Sequence, residues 1–184
     1  AGAVRAVEIA VSLRTPRFIH VSTAFLDHAL EGNGFRTAYE RSKLEGEQAV
    51  RAACASAGIS CAVARPAIVT GERCDGFTPT FKGAYPFFRY GASAAEESGR
   101  ILSMPGGFSG DSPVNLVPGD DVAAVLCLLA EHGAEGEYNI LNPNPWRAGE
   151  LLRIAASLAG VGVLARRASH NLSPLLTLAA EELA

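Results

Sequence analysis

The chain lacks the patterns that would indicate a metal site, a disulfide framework or a membrane span. Its four cysteines include no CxxC pair, and its four histidines are equally dispersed. No apolar run reaches the roughly 18 residues of a membrane-spanning helix, and no signal-peptide pattern opens the sequence. We therefore expect free cysteines, no metal ion, no membrane span and a cytoplasmic location.

An excess of charge of either sign is also missing. The formal net charge of the 184 residues is -3, and the basic residues are scattered rather than clustered. This balance argues against a nucleic-acid partner and against an anionic membrane surface. With 48% hydrophobic residues, the chain is long enough to bury a sizeable core.

Strands that alternate with helices of ten or more residues predict βαβ units around a mostly parallel sheet. The stretches "RFIHV", "ISCAVARPAIVTG" and "EYNI" are typical of buried strands, and helices are predicted over 38–57 and 121–131. We expect Asp120 or Asp121 to cap the second of these helices. His20 alternates with apolar neighbours, so we expect a packed side chain rather than a ligand-binding one.

The helix predicted over 38–57 carries a tyrosine and a lysine one turn apart near its start. Its later inward positions are small and apolar, so we expect the stripe to pack on the sheet and its first two members to face the end of the sheet rather than solvent. The stripe consists of Tyr39, Lys43, Gly46, Val50, Cys54 and Ala57.

Two hydroxyl residues, Ser22 and Thr23, end the strand that precedes this helix. Ligands of a parallel sheet gather at the carboxyl ends of its strands, so Thr23, Tyr39 and Lys43 should converge on one crevice. A lysine ammonium near a phenol favours the phenolate, and a threonine hydroxyl can hold a substrate oxygen. The three residues therefore predict a general-acid site for carbonyl reduction, or a general base for the reverse, that needs a source of hydride.

With these residues in place, the chain resembles the extended short-chain dehydrogenases/reductases from residue 1 to about 160. "FIHVSTAF", "AYERSKLEGE" and "ARPAIVTGE" resemble, in that order, the family's hydroxyl-bearing strand, its YxxxK helix and its Arg-Pro strand. The resemblance implies catalytic roles for Thr23, Tyr39 and Lys43, and substrate contacts for Ser22 and Thr23. It also implies that the nicotinamide cofactor contacts Lys43, Pro66, Ala67, Ile68 and Val69.

Within that family, "VSTAF", "YERSK" and "RPAIVTGE" look most like the fatty acyl-CoA reductase and carrier-protein thioester reductase branch. This likeness implies NADP(H) as cofactor, acyl-CoA or an acyl carrier protein as partner, and reduction of an acyl thioester to an aldehyde or alcohol. A homodimer through the Tyr39–Lys43 helix is also implied. Two alternatives stay open: a sugar-nucleotide or other carbonyl-substrate dehydrogenase or epimerase, and a non-catalytic nucleotide-binding scaffold.

The family begins with a strand, a glycine-rich turn and a helix that hold the cofactor pyrophosphate, and this chain carries no GxxGxxG element of that kind. We therefore expect the C-terminal part of a Rossmann-type α/β fold, a parallel sheet flanked by helices with a small substrate lobe, and expect the N-terminal cofactor-binding half to be absent. The predicted divisions are the catalytic half of the core over 1–71, a substrate lobe over 72–113, a return to the core over 114–160, and a C-terminal helical segment of the lobe over 161–184.

Overall fold

The structure is a computed structural model of the 184-residue chain. It describes residues 2–81, 83–85, 88–89, 101–104, 110–133, 135–158, 163–164 and 176–179. The chain forms two compact units, which are treated separately: Ala1–Phe77 with Val117–Asn142, and Thr78–Leu116 with Pro143–Ala184.

Helices and strands alternate along the chain, as βαβ units require. The helices are α1 (Gly2–Ser12), α2 (Asp27–Leu30), α3 (Ala38–Ala57), α4 (Gly119–His132) and α5 (Ala148–Leu158), with a 3-10 turn at Ala24–Leu26. The strands are β1 (Arg17–Val21), β2 (Ser60–Pro66), β3 (Ile68–Thr70), β4 (Ile101–Met104), β5 (Pro113–Val114), β6 (Leu116–Pro118), β7 (Gly136–Ile140), β8 (Trp146–Arg147), β9 (Val163–Leu164) and β10 (Leu176–Ala179). Among the described residues, no helix combines the length and the apolar character needed to cross a bilayer.

The central sheet of the first unit is parallel and has the strand order β1-β2-β7. Val21 lies opposite Ala64, and Pro66 lies opposite Ile140, so the carboxyl ends of all three strands meet at one edge. Ser22 continues the pairing, because its backbone N–H donates to the carbonyl oxygen of Ala64 at 2.7 Å. The predicted parallel α/β architecture is confirmed.

Alternation along the strands divides the core of the first unit into two layers. On one face, α1 and α3 bury Val7, Val50 and Cys54, with Phe18 of β1 packed against them. On the other face, Ala64 and Ile140 pack with α4, while Ile19 of β1 contacts the same cluster. Coverage on both faces explains why the middle strand β2 is buried continuously from Ala62 to Pro66, whereas burial alternates along the edge strand β7.

The start and end of α3 follow from local signals in its sequence. Thr37 caps the helix, since its side-chain oxygen accepts from the backbone N–H of Glu40 at 3.2 Å. The Glu40 carboxylate accepts in turn from the backbone N–H of Arg36 at 2.8 Å, which is close to the reciprocal arrangement of a capping box. At the other end, Gly58 adopts the left-handed conformation that glycine tolerates best. The predicted limits of this helix are confirmed.

The inward face of α3 differs from the predicted stripe. Val50 and Cys54 are buried as expected, but so are Glu40 and Glu47, whereas Ala57 is exposed. The predicted stripe contains no carboxylate, and an unpaired charge is costly to bury. Glu47 can occupy that face because an arginine of the neighbouring strand neutralises it.

Four charged side chains form a closed network between α3, β2 and β7. Arg65 of β2 contacts both carboxylate oxygens of Glu47, at 2.5 and 3.1 Å, and reaches Glu137 of β7 at 2.6 Å. Arg51 of α3 completes the ring through Glu47 at 3.3 Å and Glu137 at 2.5 Å. The side chains of Glu47 and Arg65 are only 2% and 6% exposed, so this pair lies within the core.

The expected capping of α4 by an aspartate is wrong. Pro118 occupies the N-cap position and provides no side-chain hydrogen bond. Asp120 accepts instead from the backbone N–H of Arg73, at 3.2 and 3.3 Å, and Asp121 pairs with the Arg73 guanidinium. Both carboxylates still lie in the first turn, where the helix dipole favours negative charge.

In the segment predicted to be helical over 161–184, the described residues form strands, and residues 161–162, 165–175 and 180–184 lie outside the described part of the chain. Leu176–Ala179 form a strand that pairs antiparallel with β4 and β9, with Leu178 opposite Leu102. The alternating pattern of "LTLA" suits this pairing better than a helix does. Within the predicted lobe over 72–113, residues 82, 86–87, 90–100 and 105–109 lie outside the described residues.

We predict that Glu47→Gln decreases the free energy of unfolding by about 3 kcal/mol, because removing one partner of a buried ion pair leaves the other charge poorly compensated. Urea denaturation of the complete protein measures this change. Glu45→Gln, on the exposed side of the same helix, is the matched control and should leave stability nearly unchanged. Equal effects of the two substitutions would contradict the prediction.

The same pair predicts a pH dependence of stability. Burial alone would raise the pKa of Glu47, but the hydrogen bonds and charge of Arg65 outweigh it and hold the pKa below its ordinary value of 4.5. A carboxyl of this kind stabilises the fold above its unfolded-state pKa, and the stabilisation disappears as pH falls through the lower folded-state value. The stability difference between the wild type and Glu47→Gln should therefore be largest near neutral pH and should shrink well below pH 4.5. A difference that stays constant in urea denaturation across this range would disprove the linkage.

Candidate active site

Thr23 lies at the carboxyl end of β1, where its hydroxyl has one lone pair in use and its proton free. Its side-chain oxygen accepts from the backbone N–H of Phe25 at 3.3 Å and so caps the 3-10 turn at Ala24–Leu26. The residue is 4% exposed, which limits the rotamers open to it. A hydroxyl that already accepts one hydrogen bond can still donate one, so Thr23 is suited to contact a substrate oxygen.

Tyr39 and Lys43 are brought together at the start of α3. The capping of α3 by Thr37 makes Tyr39 the second residue of the helix. Lys43 lies one turn later, and its ammonium nitrogen is 5.8 Å from the centroid of the Tyr39 ring. Among the described residues, the Lys43 ammonium has no hydrogen-bonding or ion-pairing partner.

The expectation that Tyr39 faces away from solvent is wrong, since the residue is 53% exposed. Adjacent helix residues point about 100° apart, so Tyr39 and Glu40 face different directions. At this turn Glu40 takes the inward position and is 5% exposed. The exposure of Tyr39 leaves its hydroxyl accessible to a ligand at the edge of the sheet.

The segment expected to contact a nicotinamide follows the end of β2. Pro66 is the last residue of that strand and is buried, and the backbone N–H of Ala67 donates to the carbonyl oxygen of Ile140 at 3.0 Å. Ile68 and Val69 begin β3, and Val69 is 42% exposed. The segment therefore lies at the same sheet edge as Thr23, one strand away.

These residues suit the nicotinamide end of a dinucleotide. The Lys43 ammonium keeps its donors free of partners among the described residues, as a ligand for ribose hydroxyls must. At the same edge of the sheet, the segment from Pro66 to Val69 offers backbone groups and the exposed side chain of Val69. The free donors of Lys43 and the backbone from Pro66 to Val69 fit a nicotinamide nucleotide. All of these residues belong to the first unit.

Ser22 is placed differently from Thr23. Its hydroxyl oxygen is buried and meets no described residue at hydrogen-bonding geometry. It nevertheless contributes to holding down the pKa of Glu47, so we regard Ser22 and Glu47 as near neighbours rather than as a hydrogen-bonded pair. The Ser22 hydroxyl is buried beneath α3, so nothing in its position supports the predicted contact with a substrate.

Sequence reasoning did not identify two groups near the site. Glu47 was overlooked because the stripe was assigned through Gly46, although the spacing from Tyr39 to Lys43 to Glu47 repeats every four residues. His20 is packed, as expected, but its ring nitrogen Nε2 is buried without a partner among the described residues. The strict alternation of Phe18, His20 and Ser22 along β1 is the signal that could have placed it on the α3 side.

The electrostatic surroundings of His20 are mainly positive. Burial lowers the pKa of its imidazole below the ordinary value of 6.5, and the charges of Lys43 and Arg51 lower it further, while Glu47 opposes them. His20 is therefore neutral at pH 7. A neutral imidazole can accept a hydrogen bond, which a protonated one cannot.

A separate group of exposed side chains, Glu72, Cys74 and Asp75, has ligand atoms within 4.8 Å of one another. All three are solvent-exposed, and exposed acidic groups commonly lie close together without an ion. The group carries no assignment here.

Comparison with known proteins places the chain in a family. The model of an NAD-binding family called male sterility protein matches residues 1–126. No curated protein matches the chain.

Solved structures with a similar fold include an epimerase of Methanothermobacter thermautotrophicus, with a TM-score of 0.65, 19% identity, and coverage of 86% of this chain and 48% of that one. The dTDP-glucose 4,6-dehydratase of Bacillus anthracis in complex with NAD has a TM-score of 0.63 and 18% identity over 86% of this chain and 51% of that one. UDP-glucose 4-epimerase of Thermus thermophilus in complex with NAD has a TM-score of 0.58 and 21% identity over 86% of this chain and 53% of that one.

At these identities the likeness shows the fold alone. The chain spans about half the length of the solved structures that it matches. The family model, in contrast, covers more than half of this chain. The chain therefore belongs to the male sterility protein family, an NAD-binding family, and has the Rossmann-type fold of the extended short-chain dehydrogenases/reductases.

Proposed function

We propose that the protein is an NAD(P)-dependent oxidoreductase that reduces an acyl thioester, carried by CoA or by a carrier protein, to an aldehyde or alcohol. The observation that carries the proposal is the pairing of an exposed Tyr39 with Lys43 at the start of α3, with the ammonium 5.8 Å from the ring centroid. The choice of a thioester is supported by the likeness of "VSTAF", "YERSK" and "RPAIVTGE" to thioester reductases and by membership of the male sterility protein family.

Thr23 and Tyr39 serve the carbonyl oxygen of the thioester. The Thr23 hydroxyl, whose oxygen accepts from the backbone N–H of Phe25, donates a hydrogen bond to that oxygen and orients it, while keeping its own proton. Negative charge grows on the oxygen as the carbonyl carbon is reduced, and a fixed donor stabilises it there. Tyr39 then gives its phenolic proton to the oxygen, and collapse of the resulting hemithioacetal expels the thiol.

Lys43 serves Tyr39 and the cofactor. Its positive charge beside the ring favours the phenolate that remains after proton transfer. Its free donors bind the ribose hydroxyls of a nicotinamide nucleotide, which supplies the hydride when bound. The backbone from Pro66 to Val69 lines the nicotinamide, and we propose NADPH as the reduced form used.

The remaining expected partnership is a homodimer formed through α3. Its outward face carries exposed small residues at Ser42, Ala49, Ala52 and Ser56, which allow another helix to approach closely. That composition and the resemblance described above support this proposal.

A sugar-nucleotide substrate is the second candidate, because several of the similar structures are sugar-nucleotide epimerases and dehydratases. The Thr23, Tyr39 and Lys43 arrangement would serve a sugar hydroxyl or ketone equally well. A non-catalytic scaffold is the weaker alternative, since it gives no reason for an accessible tyrosine above a lysine.

In the direct test, the complete protein is mixed with NADPH and one candidate substrate. The candidates are a long acyl-CoA, a carrier-bound acyl group and a nucleotide sugar, and the absorbance of NADPH is followed in each case. We expect oxidation that depends on the thioester. Turnover of the nucleotide sugar with no response to either thioester would overturn the proposal in favour of the second candidate.

We predict that Tyr39→Phe lowers kcat by roughly 10²- to 10⁴-fold, because it removes the proton donor and keeps the ring that contacts Lys43. The matched control is Tyr138→Phe, which removes a phenol that donates to the carbonyl oxygen of Glu135 at 3.0 Å, away from the site. The control should retain its activity. Wild-type turnover by Tyr39→Phe would show that another group donates the proton.

A further inference from the structure

Two buried acceptors and one donor-rich cation lie on the same side of the sheet without hydrogen-bonding partners. His20 Nε2 and the Ser22 hydroxyl oxygen are both buried and unpartnered within the described part of the chain. The Lys43 ammonium likewise lacks an acceptor there. Since native proteins pair nearly all buried polar atoms, the unpartnered Nε2 of His20 requires an explanation, whereas the Ser22 hydroxyl lies close to the Glu47 carboxylate.

Strand alternation places the two acceptors under α3. Phe18 packs against Val50 and Cys54 of that helix, and residues two and four positions further along a strand point to the same face. His20 and Ser22 are those residues. The charges of Lys43, Glu47 and Arg51 all act on His20, which agrees with its position beneath the first half of α3.

The remaining charges on this face are already paired. Glu47 is held by Arg65 of β2 and Arg51 of α3, and Glu137 of β7 pairs with both arginines. Lys43 is the cation left over, and it is half-buried at the end of the network. Its chemistry complements the two acceptors, because an ammonium has three donors and no acceptor, whereas a neutral imidazole protonated on Nδ1 offers Nε2 as an acceptor.

We propose that His20 is a positioning residue for Lys43, whose ammonium it orients beside the Tyr39 ring by accepting a hydrogen bond that is not formed in this structure. The proposal rests on the proposed function in that Lys43 acts on Tyr39 and on the cofactor ribose. A lysine side chain has four flexible carbons and would otherwise sample many rotamers. An acceptor below the helix confines the ammonium to the region between the core and the phenol.

The positioning depends on the protonation state of His20. At neutral pH the imidazole is neutral and accepts from Lys43. As pH falls, protonation removes the acceptor and adds a positive charge near Lys43 and Arg51, with Glu47 as the one opposing carboxylate that acts on His20. Activity should therefore decrease on the acid side of the pH profile, and protonation of His20 should be the cause of this decrease.

The test compares the complete wild-type protein with His20→Leu and His20→Gln. His20→Leu removes the acceptor, and we expect kcat to fall roughly 10- to 100-fold with little change in the KM for the acyl substrate, since the reacting groups are present but misplaced. His20→Gln keeps an acceptor that does not titrate, so it should recover activity relative to His20→Leu and should lose the acid-side fall. His132→Gln, which removes a histidine at the exposed end of α4, is the matched control and should change neither quantity.

A second measurement does not require turnover. In protein labelled with ¹⁵N-histidine, NMR reports the titration and the hydrogen bonding of the His20 ring. Lys43→Met should raise the pKa of His20 by removing a neighbouring positive charge, and should shift the Nε2 signal as its hydrogen bond is lost. Circular dichroism confirms that each variant is folded.

The outcomes separate the two proposals. If no thioester is reduced but His20 responds to Lys43→Met as expected, the positioning holds and the proposed function fails. If thioesters are reduced while His20→Leu keeps wild-type kcat, or His20→Gln keeps the acid-side fall, the positioning is overturned and the function stands. An unchanged Nε2 signal in Lys43→Met overturns the positioning in either case.

Discussion

The pairing of Glu47 with Arg65 is the constraint on which the rest of the first unit depends. Arg65 belongs to β2, the middle strand of the parallel sheet, and it reaches both Glu47 of α3 and Glu137 of β7. One guanidinium thus joins the helix that carries the candidate catalytic residues to two strands. Pro66, at the start of the segment expected to contact a cofactor, is the next residue along the chain.

A buried ion pair adds less net free energy than its attraction suggests, because both charges leave water. The ion pair has a stronger effect on the register between α3 and the sheet than on net stability. If α3 slid along the sheet, Glu47 would move away from Arg65, and both charges would stay buried without partners. The pair therefore fixes where Lys43, one turn before Glu47, lies relative to the end of β1, and thereby relates its side chain to the hydroxyl of Thr23.

Short-range hydrogen bonds then set the remaining side chains. The Thr23 hydroxyl caps the turn that follows β1, and Thr37 and Glu40 define the first turn of α3. Tyr39 is exposed because Glu40 occupies the inward position beside it. The candidate site thus places an accessible phenol, that of Tyr39, next to Lys43. One turn further along α3, Glu47 begins the buried charge network that leads to Arg65.

Much of this arrangement could be predicted from local patterns. Thr37, Glu40 and Gly58 carry the signals that begin and end α3, and the apolar runs of β1 and β2 predict a buried parallel sheet. The order of strand end, YxxxK helix and Arg-Pro strand predicts that Thr23, Tyr39 and Pro66 lie near one edge, and the structure places Thr23 and Pro66 at the carboxyl ends of neighbouring strands. Each of these signals lies within a few residues of the feature it determines, so the sequence by itself determined them.

Tertiary structure alone decided three features. These are the burial of charged side chains beneath α3, the absence of an aspartate cap at the start of α4, and the strand at Leu176–Ala179. Glu47 is buried because Arg65 arrives from another strand, and Asp120 and Asp121 bind Arg73 rather than the helix end. Leu176–Ala179 form a strand because β4 provides a partner. In each case the deciding group lies far away in the sequence, and a local pattern carries no information about a charge or a hydrogen-bonding edge that only folding brings near.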